Sequence, residues 1–203
     1  MKGKLIVIEG IDGSGKSTIA KKLAETLNEN NIDTIYTFEP TNAYYGAKLR
    51  DTMLSKDMDL DRELKLFVDD RKEHIRLMIK PALEEGKTVV LDRYMYSSIA
   101  YQGAKGIDIE KIKNMHESFI LTPDIVFIFH LPVEKSLNRI MEKRGFIDRF
   151  ENEEYLKKVE SIFKSFNEPF IYHINADKSI DDINKELIEI LKQTKMLALN
   201  SPL

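Results

Sequence analysis

The sequence predicts an α/β protein in which a parallel sheet is covered by helices on both faces. Five short runs rich in β-branched or aromatic residues lie along the 203-residue chain, and segments with helical periodicity separate them. Strands that alternate with helices form right-handed βαβ units and therefore a parallel sheet. A chain of this length with 42% hydrophobic residues suits one globular core, so a single domain over residues 1–203 is expected.

The elements follow one another in a regular order. The predicted strands are KLIVIE from Lys4, TIYTFE from Thr34, TVVLD from Thr88, DIVFIFHL from Asp124 and the weaker FIYHIN from Phe170. Helices are predicted over residues 16–30, 61–85, 108–120, 133–143, 153–166 and 179–192. Ligands of such sheets collect beyond the carboxyl ends of the strands, so polar residues at those ends are the first candidates for a site.

Composition and charge exclude several classes of function. Lys and Arg number 31 against 34 Asp and Glu, which gives a net charge of −3 without the basic field of a nucleic-acid-binding protein. The chain has no cysteine, which excludes disulfides and thiolate-bound metals. The apolar runs are too short to span a membrane. We therefore expect a cytoplasmic protein with neither nucleic acid nor membrane as a partner.

A glycine-rich loop follows the first predicted strand. Gly10, Gly15, Lys16 and Ser17 match the pattern G-x-x-x-x-G-K-[ST], in the expected setting between a strand and a helix. Such a loop directs backbone N–H groups at phosphate oxygens, its lysine reaches the β and γ phosphates, and its serine helps to hold Mg²⁺. The nucleotide-binding residues are predicted to be Gly10, Ile11, Asp12, Gly13, Ser14, Gly15, Lys16, Ser17 and Thr18. The pattern predicts the P-loop NTPase version of the three-layer α/β fold.

A phosphate loop alone does not separate a kinase from a switch GTPase or a motor ATPase. Guanine-specific switches usually carry N-K-x-D after a strand. The Asn184–Lys185 pair instead lies inside a predicted late helix and is followed by EL. This argues against a GTPase.

An arginine interrupts the apolar stripe of the predicted helix 61–85. Leu64, Phe67, Val68, Ile75 and Met78 form the stripe, and Arg71 shares a face with Phe67 one turn away. Arg71 can pair with a buried carboxylate, and Asp69 and Asp70 are close in sequence. Alternatively, Phe67 and Arg71 can bind a heterocyclic base, the ring by stacking and the guanidinium by donating to a carbonyl. Both interpretations remain open on spacing alone.

Further charged residues follow the ends of other predicted strands. Asp92 and Arg93 open the segment DRYMYSSIAYQG, where a carboxylate can orient a metal and an arginine can bind phosphate. Glu39 ends the second strand, and Arg50 lies on the helix after it. Lys143, Arg144 and Arg149 surround Gly145 between two helices, in a basic loop that is either a solvated turn or a short lid, placed at about residues 142–152.

These segments together resemble the thymidylate kinase family. GIDGSGKST, FEP ahead of Gly46 and Arg50, LFVDDR, DRYMYSSIAYQG and DRFE occur in the family's order over residues 5–151. The chain is similar to the bacterial type, which supplies a lid arginine, because Gly13 stands where the eukaryotic type has a loop arginine. The run TNAYY after Pro40 replaces the family's usual glycine-rich run, so the contacts of that loop are not carried over.

The resemblance implies a role for each matching residue. Phe67 would stack on thymine, Arg71 would donate to its O4, and Ser98 and Gln102 would line the base pocket. Arg50 and Arg93 would hold the acceptor phosphate, and Tyr101 would press against the 2′ carbon of the sugar and disfavour ribonucleotides. Asp12 would accept a hydrogen bond from the 3′-hydroxyl of dTMP. The substrate-binding set is Asp12, Glu39, Arg50, Phe67, Arg71, Arg93, Ser97, Ser98, Tyr101 and Gln102.

The expected reaction is transfer of the γ-phosphoryl group of Mg·ATP to dTMP, which gives dTDP. Lys16, Arg93, Arg144 and Arg149 would be catalytic, and Ser17 with Asp92 would hold Mg²⁺. Two alternatives remain: a kinase of the same fold with another nucleoside or monophosphate as acceptor, and a nucleotide-dependent switch without transfer chemistry. The family resemblance also implies a homodimer.

Overall fold

A five-stranded parallel sheet lies at the centre of the computed structural model, which describes residues 3–53, 59–145 and 152–196. Its strands are β1 (Leu5–Gly10), β2 (Thr34–Phe38), β3 (Thr88–Asp92), β4 (Ile125–His130) and β5 (Ile171–Asn175). Their order across the sheet is β2-β3-β1-β4-β5, and every neighbouring pair is parallel. All five predicted strands and the predicted parallel sheet are confirmed.

Helices connect the strands and cover both faces of the sheet. In the part of the chain that the structure describes they are α1 (Lys16–Glu29), α2 (Tyr44–Met53), α3 (Leu60–His74), α4 (Lys80–Glu84), α5 (Met95–Ala104), α6 (Ile109–Glu117), α7 (Val133–Arg144), α8 (Glu153–Ser165) and α9 (Ile180–Gln193). Each of the six helices predicted from periodicity is present within a few residues of its expected bounds. Ser179 caps α9 by accepting a hydrogen bond from the Asp182 N–H.

Helix α5 is not among the elements that periodicity predicts. Its residues Tyr96, Ser97, Ser98, Ile99, Ala100 and Gln102 are all buried, although they are polar as well as apolar. A helix that is surrounded on most sides lacks the alternation of polar and apolar faces from which helices are recognised. The segment instead carries many of the candidate site residues.

The long helix predicted over residues 61–85 contains a π-helical turn. α3 passes through this turn, Ile75–Ile79, directly into α4. The wider turn changes which side chains face the sheet. Ile75 and Ile79 are buried in the core, whereas Met78, which is expected in the apolar stripe, is 47% exposed. The stripe prediction is therefore wrong at Met78.

The two faces of the sheet carry different helices, and this arrangement opens a crevice. α1 and α9 pack together against one face, in a core that includes Ile6, Ile8 and Phe127. α3, α4, α5 and α8 lie on the other face, in a core that includes Val7 and Val126. The chain thus leaves β1 toward one face and leaves its neighbours β3 and β4 toward the other. Diverging connections of this kind leave room for a ligand at the carboxyl ends of the strands.

The expected lid lies only partly within the described residues. α7 ends at Arg144 and is capped by Gly145 in a left-handed conformation, and Asn152 caps the start of α8. Arg149 lies outside the described residues, and only the backbone is described for Arg144. Within the three described ranges, every helix is too short or too polar to cross a membrane.

Candidate active site

The phosphate loop joins β1 to α1 in the conformation that its glycines permit. Gly10, Gly13 and Gly15 have φ angles of 136°, 75° and 93°, in a region that side chains with a Cβ rarely adopt. Gly15 caps α1. The first N–H groups of a helix have no acceptor within that helix, so this end of α1 can donate to an anion. The predicted setting of the loop, between a strand and a helix, is confirmed.

Gly13 packs directly against α7. A Cβ atom at this position would lie 2.5 Å from the carbonyl oxygen of Ser136 and 2.9 Å from its hydroxyl oxygen. The Ser136 hydroxyl also donates to the backbone carbonyl of Asp12. The loop and the first turns of α7 therefore form one packed unit, which has no room for a longer side chain at position 13.

Lys16 lies across the loop with its ammonium group inside the protein. Its side chain donates to the Ile11 carbonyl at 2.7 Å, and the residue is 5% exposed. Burial and, to a smaller extent, the nearby Arg93 lower the pKa of Lys16 to about 8, against the opposing effect of Asp12, Asp92 and Glu9. A phosphate group that replaced the carbonyl as a partner would favour the charged form.

Ser17 and Asp92 meet beyond the ends of β1 and β3. The Ser17 hydroxyl donates to Asp92 Oδ2 at 2.5 Å. The other carboxylate oxygen, Oδ1, is buried and has no hydrogen-bond partner among the described residues. A hydroxyl beside a carboxylate is a donor set that suits Mg²⁺, which prefers oxygen ligands. The described residues contain no group of three or more histidines or carboxylates arranged as a metal cage.

Arg93 connects the phosphate loop to α5. Its φ angle of 71° is unusual for a residue with a side chain, and its guanidinium donates to Asp12 Oδ1 at 2.5 Å and to the Ser97 hydroxyl at 3.1 Å. Such conformations concentrate at functional sites. Burial opposes the charge of Arg93, but Asp12, Tyr101, Asp92 and Glu9 together raise its pKa.

Tyr101, on α5, contacts both Asp12 and Arg93. Its hydroxyl donates to Asp12 Oδ2 and accepts from the Asp12 N–H, each at 3.0 Å, and its ring lies 5.2 Å from the Arg93 guanidinium. Burial and the Asp12 carboxylate raise the pKa of Tyr101 well above its ordinary value. Asp12 therefore faces Arg93 and Tyr101, at the side of the loop where α5 lies.

Glu9 is a buried carboxylate that is not among the predicted site residues. It is fully buried in β1, and it accepts hydrogen bonds from the Tyr94 N–H and from the N–H and hydroxyl of Ser97. Burial raises the pKa of Glu9 to about 7, although these hydrogen bonds and Arg93 act in the opposite direction. A charged residue inside the otherwise apolar strand LIVIEG was the available signal.

Arg71 is completely buried and makes four hydrogen bonds. It donates to Glu39 Oε2 at 2.7 Å, to the Ser98 hydroxyl at 3.0 Å, to His116 Nε2 at 2.6 Å and to the Tyr94 carbonyl at 2.9 Å. These contacts use four of its five N–H groups. Within the described ranges, the fifth, on Nη2, has no protein acceptor. Arg71 thus has the buried carboxylate partner that one interpretation required, and it retains one donor for a ligand.

The residues around Arg71 hold it in place. Glu39 is buried and also contacts His74 Nδ1 at 3.1 Å. Burial and Arg71 lower the pKa of His116 to about 4, so its ring is neutral at pH 7 and accepts at Nε2 while Nδ1–H donates to the Ile112 carbonyl. His116 is not among the predicted site residues, because no local sequence pattern marks it. Glu39 faces inward to Arg71 as well as lying at the end of β2.

The face of α3 that carries Arg71 lies opposite α5. Phe67 is half-buried on that face, one turn before Arg71. Gln102 lies one turn after Ser98 on α5, is 3% exposed, and has a buried side-chain oxygen without a partner among the described residues. The structure therefore joins Arg71 to Ser98 by a hydrogen bond, with Phe67 one turn earlier on α3 and Gln102 one turn later on α5.

Arg50 is a predicted cation that is less engaged. Arg50 is exposed on α2, where its Nη1 lies 3.4 Å from the Pro40 carbonyl oxygen, at the outer edge of the site. Arg149 cannot be placed because it lies outside the described residues. The Thr41 segment beside Arg50 is anchored by Asp70, whose carboxylate accepts from the Thr41 N–H and hydroxyl.

A cavity of about 740 Å³ lies elsewhere, between the ends of β4 and β5 and helix α8. None of the predicted site residues lines it. The strand ends, the φ angles of the loop and the buried charges favour the surroundings of the phosphate loop instead, so the candidate site is taken to lie there.

A phosphate loop on a β2-β3-β1-β4-β5 parallel sheet, joined through Arg93 to the polar residues of α5, defines a P-loop protein. The family model described as thymidylate kinase matches residues 8–187. The chain belongs to the thymidylate kinase family and is an enzyme of that family.

The relatives agree with this assignment. The chain is 62% identical to the thymidylate kinase of Brachyspira hyodysenteriae, with 99% of each chain covered. It is 44% identical to the thymidylate kinase of Desulfotalea psychrophila, with 97% of this chain and 98% of the relative covered. A protein of Pyrococcus abyssi named a probable thymidylate kinase is 37% identical, over 95% of this chain and 97% of that one.

Proposed function

We propose that the protein transfers the γ-phosphoryl group of Mg·ATP to the 5′-phosphate of dTMP and releases dTDP and ADP. The contact between Arg93 and Asp12 carries this proposal, because it joins the phosphate loop to the cleft between α3 and α5. An oxygen of the dTMP phosphate attacks the γ-phosphorus while the bond to the bridging oxygen of ADP breaks. The acceptor is already an anion, so catalysis needs positioning and neutralisation of charge more than a strong base.

The donor phosphates belong in the loop. Backbone N–H groups of residues 10–18 would surround them, and the Lys16 ammonium would move from the Ile11 carbonyl to the β and γ phosphates. Ser17 and Asp92 fit Mg²⁺, because the hydroxyl and the unpartnered Oδ1 atom are oxygen ligands side by side. Bound there, Mg²⁺ would neutralise charge on the donor phosphates.

The base of dTMP belongs between α3 and α5. Phe67 offers an aromatic face for stacking, and the remaining Nη2 donor of Arg71 suits the thymine O4 atom. Gln102 Oε1 is a buried acceptor that suits the thymine N3–H, and Ser98 lines the same cleft. In this arrangement Glu39 acts through Arg71 rather than on the base itself.

The sugar and phosphate of dTMP belong near the loop. Arg93 and the more exposed Arg50 would bind the acceptor phosphate, with Ser97 orienting Arg93. Asp12 would receive the 3′-hydroxyl, and the Tyr101 ring would lie against the 2′ carbon, where a ribose hydroxyl would clash. This explains why a carboxylate lies in a phosphate loop: it faces the acceptor side, with Arg93 and Tyr101.

We further propose that residues 142–152 form a lid that supplies Arg144 and Arg149 to the transferring phosphoryl group. The packing of Gly13 against Ser136 supports this, because the loop itself has no room for an arginine at position 13. Replacing Arg149 by Ala is expected to lower kcat on the order of a hundredfold or more, as loss of a transition-state cation does. Steady-state kinetics at saturating dTMP and ATP measures this, and an unchanged kcat would remove Arg149 from the mechanism.

The experiment that tests the function is an acceptor panel. ADP formation from ATP and Mg²⁺ would be followed with dTMP, dUMP, the ribose form of TMP, dCMP, dGMP and thymidine offered separately. We expect dTMP to give the highest kcat/KM and the ribose form to be poor. A better rate with thymidine or another monophosphate would indicate a different acceptor on the same fold. ATP binding without acceptor-stimulated ADP release would indicate a switch.

We also propose that the whole chain works as a single kinase domain in a cytoplasmic homodimer. Family resemblance supports the dimer, and Leu77 and Met78 offer apolar surface, since they are 58% and 47% exposed beside each other on the π-helical turn. Localisation of a fluorescent fusion tests the compartment, and light scattering tests the oligomer.

A further inference from the structure

A buried carboxylate lies beside the proposed base site and has no part in the function described so far. Glu63 lies on α3 one turn before Phe67 and two turns before Arg71, so the three side chains share a face. It is 2% exposed. Its carboxylate accepts from Gln102 Nε2 at 3.0 Å and from Lys105 Nζ at 2.5 and 2.8 Å. Lys105 therefore balances the charge that burial would otherwise make costly.

This contact determines which way the Gln102 amide is turned. A carboxylate can only accept hydrogen bonds, so the amide can approach Glu63 only with its NH₂ group. The carbonyl oxygen is then directed away from Glu63. That oxygen is buried and has no partner among the residues described, an arrangement that costs free energy unless a ligand supplies a donor.

The position of Gln102 indicates where the donor would come from. Gln102 and Ser98 lie one turn apart on α5. Ser98 accepts a hydrogen bond from Arg71, and Gln102 donates one to Glu63. The two helices thus contact each other through these two side-chain hydrogen bonds. Phe67 lies on α3 between the two contact points and is half-buried.

We propose that Glu63, balanced by Lys105, fixes the Gln102 amide so that the base site accepts only a base with an N–H group at N3. The inference rests on the proposed function, because it places a pyrimidine in this cleft. Thymine and uracil carry a hydrogen at N3, whereas the N3 atom of cytosine is an acceptor. Cytosine would therefore face the Gln102 oxygen with a second acceptor and leave both unpaired. Glu63 is a positioning residue that determines specificity without touching the base.

The test is the exchange Glu63→Gln. A glutamine can donate its own NH₂ to Gln102, which allows the Gln102 amide to turn and present its NH₂ group to the base. We expect the ratio of kcat/KM for dTMP to that for dCMP to fall by about tenfold or more, with the KM for ATP unchanged. Arg71 still disfavours the cytosine amino group, so dTMP is expected to remain the better acceptor. Titration calorimetry with each monophosphate should show the same change in Kd.

Matched controls separate this effect from general damage. Glu73→Gln removes a carboxylate charge ten residues further along α3. It should leave the ratio of kcat/KM for dTMP to that for dCMP unchanged. Lys105→Met removes the cation that pairs with Glu63 and so weakens the hold of Glu63 on Gln102. It should also lower the ratio of kcat/KM for dTMP to that for dCMP. Thermal melting identifies variants that do not fold. If neither site variant folds, NMR of the unaltered enzyme with dTMP reports the thymine N3 proton, which should exchange slowly with water. A rapidly exchanging proton would overturn the proposal.

The outcomes separate a failure of this inference from a failure of the proposed function. If the unaltered enzyme prefers dTMP and folded Glu63→Gln keeps the same dTMP to dCMP ratio, Glu63 does not determine specificity and the proposed function stands. If the unaltered enzyme does not prefer dTMP in the acceptor panel, the proposed function itself fails.

Discussion

At the scale of single residues, the site depends on buried charges that would be unstable alone. Arg71, Glu39 and Glu63 are each almost fully buried, and each has a partner of opposite charge. Breaking such a pair leaves an uncompensated charge in the interior, which costs more than a surface pair contributes. The pairs hold side chains at defined positions in front of the cleft, where a ligand can use their remaining donors and acceptors.

Glu9 gives a pH-dependent stability that can be measured. Its pKa is raised to about 7 in the folded protein, from 4.5 in the absence of burial, so the folded state binds the proton more tightly than the unfolded state. Its contribution is therefore complete below pH of about 4.5 and is lost as pH rises through about 7. The loss is expected to reach up to about 3 kcal/mol.

Urea unfolding of the unaltered protein and Glu9→Gln across this range measures the effect. The glutamine carbonyl can still accept from the Tyr94 and Ser97 N–H groups, but it does not titrate. The unaltered protein should lose stability relative to the variant as pH rises. A difference between the two that does not change with pH would contradict the raised pKa.

At the scale of elements, the phosphate loop and α7 are coupled through a close contact. Gly13→Ala should lower the free energy of unfolding by about 2 to 5 kcal/mol, because it combines a left-handed conformation with overlap against Ser136. Gly106→Ala is a matched control, since Gly106 has a φ of 100° and a Cβ atom there would meet nothing within 4 Å among the described residues. That control should lose only about 1 to 2 kcal/mol. Equal losses in chemical denaturation would show that the Ser136 contact is unimportant.

Local sequence patterns predict the elements well, except where polar side chains are turned inward toward the site. Strands β1, β3 and β4 are mostly apolar and buried, and the phosphate loop is a contiguous motif, so both could be recognised without knowing their surroundings. α5 could not be recognised as a helix, because it turns small polar residues inward toward the site. The π-helical turn was equally invisible and moved Met78 out of the buried stripe.

Pairings between distant residues were the part of the site that sequence could not provide. Asp69, Asp70 and Glu73 are the carboxylates within two positions of Arg71, but its partner is Glu39, 32 positions away. Asp70 instead holds Thr41, and Asp69 pairs with Lys65. Which carboxylate pairs with which cation depends on how α3 packs beside β2, and this packing cannot be predicted from a single sequence.

At the scale of the whole molecule, the dimer can be tested through its apolar surface. If the homodimer packs through the π-helical turn, the double exchange Leu77→Glu and Met78→Glu should produce monomers in light scattering, because it would bury charges in the interface. Ile180→Glu, at a residue 49% exposed on α9, is the control and should remain dimeric. Dimers that persist in the double variant would place the interface elsewhere.

The buried ammonium of Lys16 also couples nucleotide binding by the enzyme to the uptake of a proton. Near pH 8 a substantial fraction of the protein carries a neutral Lys16, and ATP phosphates would draw a proton onto it. Calorimetry in two buffers with different heats of ionisation should then show uptake of up to about half a proton per ATP at pH 8 and much less at pH 6. Lys16→Arg, which stays charged, should abolish the difference. The enzyme would thus bind ATP less tightly as the pH rises, because a proton is taken up together with the nucleotide.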